Sequence, residues 1–109
     1  MATFDDFQQI DMRVGEITRA EEFPKARKPA YKLWVDFGEE IGIKQSSAQI
    51  TECYSLEESV GRQVLGVVNF PPMKVAGFSS EALVMGVYSE QGVVLVEPQQ
   101  KVKKGDRLG

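Results

Sequence analysis

The segment YKLWVDFG, residues 31–38, constrains the fold of this chain more than any other. Tyr31, Leu33, Val35 and Phe37 alternate with Lys32, Trp34 and Asp36, the period of two expected of a strand with one buried face. The segments around it read as further strands. Met12 to Phe23 is one, with Gly15 as a bulge or a point of close approach. A turn at Gly38–Glu40 precedes a third strand reaching about Ser47, and QVLGVVNF and EALVMGVYS are apolar enough for inner strands. GVVLVEP follows a turn at Glu90–Gly92, and the final KVKKGDRLG reads as a turn with a short edge piece.

Helical signals are few and short. Thr3 can cap TFDDFQQI, where Asp5 and Asp6 suit the first turn and Phe4, Phe7 and Ile10 form one apolar stripe. Ser55 and Glu58 make a capping box, and Gly61 stops the helix after a turn or two. The order is strand, basic loop, two strands, short helix, two strands, with terminal additions. This is the layout of a five-stranded OB-fold barrel, so the expected class is all-β with short helices. Periodicity alone also allows another small barrel or a sandwich fragment.

The residue inventory excludes several functions. The chain has 109 residues, one cysteine and no histidine. Ser–His and Cys–His nucleophile pairs and a zinc site are therefore absent, and no Walker loop or GxGxxG turn appears. Acidic doublets such as Glu21–Glu22 and Glu57–Glu58 point apart on any regular element and read as solvated charge. No catalysis, metal or cofactor is expected. The single Cys53, the acids near the start and the lack of a long apolar run suit a cytoplasmic protein.

Net charge is −3, which argues against coating nucleic acid by bulk electrostatics. The cations are nevertheless unevenly placed. Lys25, Arg27, Lys28 and Lys32 fall together, as do Lys101, Lys103, Lys104 and Arg107; two clusters that met in space could grip phosphate.

The stretch VNFPPMKVAGFSSEALVMG, residues 68–86, fits neither a core strand nor a disposable loop. Pro71 and Pro72 cannot serve a ladder, yet Phe70, Met73, Val75 and Phe78 make it apolar. Together with DMRVGEI, AEEFP, KLWVDFGEE and YSLEESVGRQVLG, it resembles the tRNA-binding domain family over about residues 8–109. That family includes the C-terminal domain of bacterial methionyl-tRNA synthetases and the EMAP II-like cytokine domain. Within it, ARKPAYKLWVDFG, GIKQSSAQIT and VVNFPPMKVAGFSSEALVMG are similar to the branch of CsaA-type export chaperones.

The resemblance implies an OB-fold domain over residues 8–109, with a helical arm at 1–10, joined into a homodimer through its terminal segments. Phe4 and Phe7 of the arm would serve that dimer; on the residues alone, they could equally cap their own barrel. It further implies binding of unfolded or pre-export polypeptides, a link to the preprotein translocation machinery, and a tRNA-type surface. The family pattern Asn-x-x-Pro-x-Lys-x-x-Gly-x-x-Ser falls on Asn69, Pro72, Lys74, Gly77 and Ser80. Asn69, Lys74 and Ser80, with Lys32, Arg27 and Lys28 from the first loop, are the expected tRNA contacts. Each has an ordinary structural use as well: Asn69 fixing a turn, Ser80 as a turn hydroxyl, the cations for solubility. Phe70, Pro71, Met73 and Phe78 are the expected peptide contacts, with at least one of Phe70 and Phe78 expected in the core. Trp34 is expected to face outward or into the dimer seam, or to serve as a stacking platform for a base. Met73 stands where close relatives of this branch carry a further cation, which weakens the RNA expectation relative to the peptide one.

Overall fold

In the computed structural model, which describes residues 1–109, strand β2 (Tyr31–Asp36) forms where the alternation requires it. Tyr31, Leu33 and Val35, and Phe37 just beyond, are buried, while Lys32, Trp34 and Asp36 lie on the outer face. β2 sits between β1 (Met12–Glu22) and β3 (Ile43–Ala48), and all its pairings are antiparallel. β1 is long enough to serve two neighbours. Its first half pairs with β4 (Gln63–Val67) and its second with β2, so one strand turns the corner of the sheet.

Two glycines make room at the centre. A Cβ on Gly15 would lie 2.5 Å from Val35 Cγ1 and 2.8 Å from the Phe37 ring; one on Gly66 would lie 2.8 Å from Phe37 Cζ. Gly15 is thus the close-approach point anticipated. The bulge lies three residues on, where Ile17 opposes Val35 and Arg19 opposes Trp34, leaving Thr18 extra.

Beyond β4 the chain forms a small hairpin, β5 (Met73–Val75) and β6 (Phe78–Ser80), then β7 (Leu83–Val84) beside β4. The sheet order β3-β2-β1-β4-β7 is nearly closed into a barrel by β3 and the segment before β7. Gln45 C=O accepts from Glu81 N–H at 2.8 Å and Ala82 N–H at 3.2 Å. Two side chains supply the remaining acceptors, Glu81 Oε1 for Gln45 N–H at 2.9 Å and Ser80 Oγ for Ser47 N–H at 3.2 Å. This is the five-stranded OB-fold barrel.

Both short helices follow their capping signals. Thr3 and Asp6 cap α1 (Phe4–Gln8) reciprocally, and Ser55 and Glu58 do so for α2 (Leu56–Ser59), after which Gly61 takes a positive φ of 93°. One expectation needs correction: EALVMGVYS is not a single inner strand. It breaks at Met85, whose N–H donates to Leu65 C=O at 2.8 Å and whose C=O accepts from Val96 N–H at 3.1 Å. The chain then leaves the barrel as the hairpin β8 (Gly86–Ser89) and β9 (Gly92–Leu95), with Val87 and Tyr88 exposed.

The C-terminal segment is the edge piece expected, lying along the first half of β1. Val14 N–H donates to Asp106 C=O at 2.9 Å, Gly105 N–H to Val14 C=O at 2.8 Å, and Leu108 N–H to Met12 C=O at 2.9 Å. Lys104 bonds Asp36 at the far end of β2, whereas the Lys25–Lys28 loop enters β2 at Tyr31. The two basic clusters therefore lie at opposite ends of that strand. No helix is long and apolar enough to cross a membrane.

Candidate functional site

The outer face of β1, β2 and β3 carries an alternation of its own. Arg19 stands opposite Trp34, which stands opposite Gln45; Glu21 stands opposite Lys32, which stands opposite Ser47. Directly paired residues share a face, so this is one row of side chains outside the barrel. Two loops overhang it. The β1–β2 loop arrives with Phe23, and the β5–β6 hairpin arrives with Phe78. Their rings meet edge to face at 5.5 Å, and Phe78 also meets Trp34 at 5.8 Å.

Cations sit on these rings. The Lys32 ammonium lies 5.1 Å from the Phe23 centroid and 5.3 Å from that of Phe78, and the Arg19 guanidinium lies 4.4 Å above Trp34. Trp34 does face outward, but with Arg19 over the ring and Phe78 at its side it is not a bare platform. Phe78 is half-buried by these contacts and Phe70 is exposed, so neither joins the core as at least one was expected to; Phe23 is the aromatic buried here.

The hairpin owes its shape to the turn Ala76–Gly77, both with positive φ, 48° and 85°. A two-residue turn of that kind matches the twist of paired strands and favours glycine. It holds Met73 opposite Ser80 and Lys74 opposite Ser79. Met73 is 67% exposed and Phe70 44%, and Pro71, Pro72 and Lys74 are exposed beside them. Lys25, Arg27, Lys28, Lys32 and Lys74 form no ion pair, whereas Lys104 and Arg107 of the other cluster are engaged by Asp36 and Asp11. Five unpaired cations thus stand around the two overhanging loops and on β2 beneath them; Lys44, Lys101 and Lys103, elsewhere on the surface, are also without an ion pair.

Asn69 and Ser80 have protein partners. The Asn69 amide donates to Gln9 C=O at 2.8 Å and accepts from Asp11 N–H at 2.9 Å, fastening the hairpin loop to the junction of α1 and β1. Ser80 belongs to the closure of the barrel on β3. Phe4 and Phe7 stack at 6.4 Å with Phe4 69% exposed, and with Ile10 and Leu108 they line an open hollow where the terminal segments meet.

Arg19, Glu21, Phe23 and Gln45 were not legible as members of this face. Strict alternation from Ile17 would turn Arg19 into the barrel; the extra residue at Thr18 reverses the parity. No group of three or more potential metal ligands is present.

A small antiparallel barrel with an aromatic and basic outer face, overhung by two loops, defines a binding module of the OB class. The chain belongs to the family described as "Putative tRNA binding domain", which it matches over residues 12–107. Among curated proteins it is 36% identical over 106 residues to the methionine–tRNA ligase of Methanococcoides burtonii and 42% identical to that of Chlorobium luteolum. These matches cover 96% of this chain but 15% of each ligase. Solved structures also match over the full chain, among them two chaperones. The CsaA chaperone protein of Picrophilus torridus is 46% identical with a TM-score of 0.96, covering 100% of both chains. The chaperone CsaA of Bacillus anthracis str. Ames is 51% identical with a TM-score of 0.93, covering 100% of this chain and 99% of that one.

Proposed function

We propose that this chain is a CsaA-type chaperone: a cytoplasmic homodimer that holds unfolded or pre-export polypeptides reversibly, without ATP and without chemistry. The observation that carries the reading is the β5–β6 hairpin with the segment leading into it, which keep Met73 and Phe70 in solvent beside Pro71 and Pro72. A hairpin with a rigid turn that displays flexible apolar side chains suits varied extended segments, because methionine repacks around different partners. Burying either side chain on a client is worth about 1.5–3 kcal/mol, enough for capture and release. Support also comes from likeness to chaperone structures along the whole length of both chains. Dimerisation through Phe4 and Phe7 would cover the apolar hollow at the termini, and the preprotein translocation machinery is a partner consistent with such clients.

The purified protein should suppress aggregation of a denatured client at one dimer per client with no nucleotide, and Met73→Asp should abolish that. Absence of suppression by the wild-type protein at that ratio overturns the reading.

A second reading, tRNA binding, is favoured by the family membership and by the unpaired cations of the two loops. Lys32, Arg27, Lys28 and Lys74 would meet phosphates, while Asn69 and Ser80 would act through the loop and the barrel closure that they hold in place. Lys74→Glu should then weaken tRNA retention and flatten its salt dependence. No retention of tRNA by the wild-type protein at low salt removes this reading.

A further inference from the structure

The pair Arg19–Glu21 on the outer face is used by neither reading. We propose that Arg19, held over the Trp34 ring, is a phosphate-contacting position for single-stranded RNA, and that Glu21 is its built-in competitor. The proposal rests on the RNA reading and extends it to two residues outside the family pattern.

The guanidinium lies 4.4 Å above the indole, and Phe78 packs against that indole at 5.8 Å. The indole holds the guanidinium from one side, and one of its N–H groups donates to Glu21; with that carboxylate displaced, its donors could grip a phosphate. The Arg19 side chain is 62% exposed, and its one ionic partner is the Glu21 carboxylate, itself 38% exposed. Glu21 is also the cross-strand partner of Lys32. Lys32 forms no ion pair with it and lies over Phe23 and Phe78, so the carboxylate competes at Arg19, where a phosphate oxygen would stand in a complex. An exposed pair of this kind is weak and exchanges readily. A ligand with several phosphates, engaging Lys74 and the loop cations at the same time, displaces Glu21; an isolated anion does not. Glu21 thus sets the threshold for a polyanion on a chain whose net charge is −3.

The test is fluorescence anisotropy of a short labelled oligouridylate with the full chain over a range of salt. Glu21→Gln should tighten binding about three- to tenfold and steepen the log–log salt slope by about 0.7, one added phosphate contact on a single strand. Arg19→Gln should weaken binding, and Glu21→Gln added to it should have no effect. Glu39→Gln, an exposed change beyond the other end of β2, controls for net charge alone. Trp34 is the sole tryptophan, so its emission should shift on RNA binding in the wild type but not in Arg19→Gln. The proposal is overturned if Glu21→Gln behaves like Glu39→Gln, or if its gain persists without Arg19. Failure of the RNA reading itself is distinct: there, the wild type retains neither the oligonucleotide nor tRNA at low salt, whereas a wild type that retains tRNA and leaves the oligonucleotide free overturns the proposal alone. If the wild type binds and Lys74→Glu weakens it while Glu21→Gln changes nothing, the RNA reading stands and the competitor role falls. Melting temperature should be unchanged in Glu21→Gln and Glu39→Gln, since an exposed ion pair adds little to stability.

Discussion

Asn69→Ala separates a residue that touches a ligand from one that holds the ligand-binding loop in place. The side-chain amide makes two bonds across a long stretch of chain, 2.8 Å to Gln9 C=O and 2.9 Å from Asp11 N–H. Val68 N–H adds a backbone bond to Asp11 C=O at 2.9 Å, so loop and junction are stitched at adjacent points. A net contribution of about 0.5–1.5 kcal/mol per bond, taken toward its lower end because the site is exposed, gives a loss of about 1–2 kcal/mol. For a domain of this size that lowers the melting temperature by roughly 4–10 °C. Asn69→Asp should fall further, because it keeps the acceptor for Asp11 N–H but sets a carboxylate oxygen against the Gln9 carbonyl. Circular dichroism melts give the stability, and amide exchange at Asp11 by NMR gives the local effect. If Asn69→Ala melts with the wild type, leaves Asp11 protected and yet loses RNA, the anchoring role is wrong and the side chain meets the ligand directly.

Gly15→Ala should destabilise the fold by about 1–3 kcal/mol in denaturant titration, since the added methyl meets Val35 and Phe37 in a filled barrel. Asp36 is held below the usual carboxylate range, first by the Gly38 N–H and then by the Lys104 ammonium. A depressed carboxylate contributes stability that is complete above its unfolded value near ~3.9 and is lost as pH falls through the folded value. Asp36→Asn should therefore lower the melting temperature at neutral pH and reduce the further loss on acidification below about pH 4. Phe4→Ala with Phe7→Ala should shift sedimentation from dimer to monomer while the far-ultraviolet spectrum stays that of the barrel; an unchanged dimer would place the interface elsewhere.

The barrel was legible because its strongest strands carry period-two patterns and its turns carry their own chemistry. Val35 and Phe37 could be placed inside from alternation alone, and both helices from their capping residues. The break at Met85 could not, because LVMGV is uniformly apolar and the switch from β4 to the hairpin depends on hydrogen bonds with Leu65 and Val96. The site was legible in one dimension only. Lys32, Lys74 and the loop cations were found by residue type and spacing, whereas the row Arg19, Trp34, Gln45 exists only once the bulge at Thr18 sets the register. The amide of Asn69 shows the opposite limit, since no local pattern reveals partners some sixty positions away.

The closure between β3 and the segment after β6 has a dynamic consequence. Elsewhere the barrel wall is held by backbone ladders, but here only Gln45 C=O takes backbone donors, from Glu81 and Ala82, while Gln45 and Ser47 N–H donate to the side chains of Glu81 and Ser80. Side-chain acceptors can let go one at a time, without the concerted loss of a ladder, so this seam is the place for the wall to part at the lowest free energy. β6 also carries Phe78, so a parting of this seam would move the ring that packs against Trp34. Hydrogen exchange reads this directly: the amides of Gln45 and Ser47, bonded to a glutamate and a serine side chain, should exchange ahead of those on either side of β1.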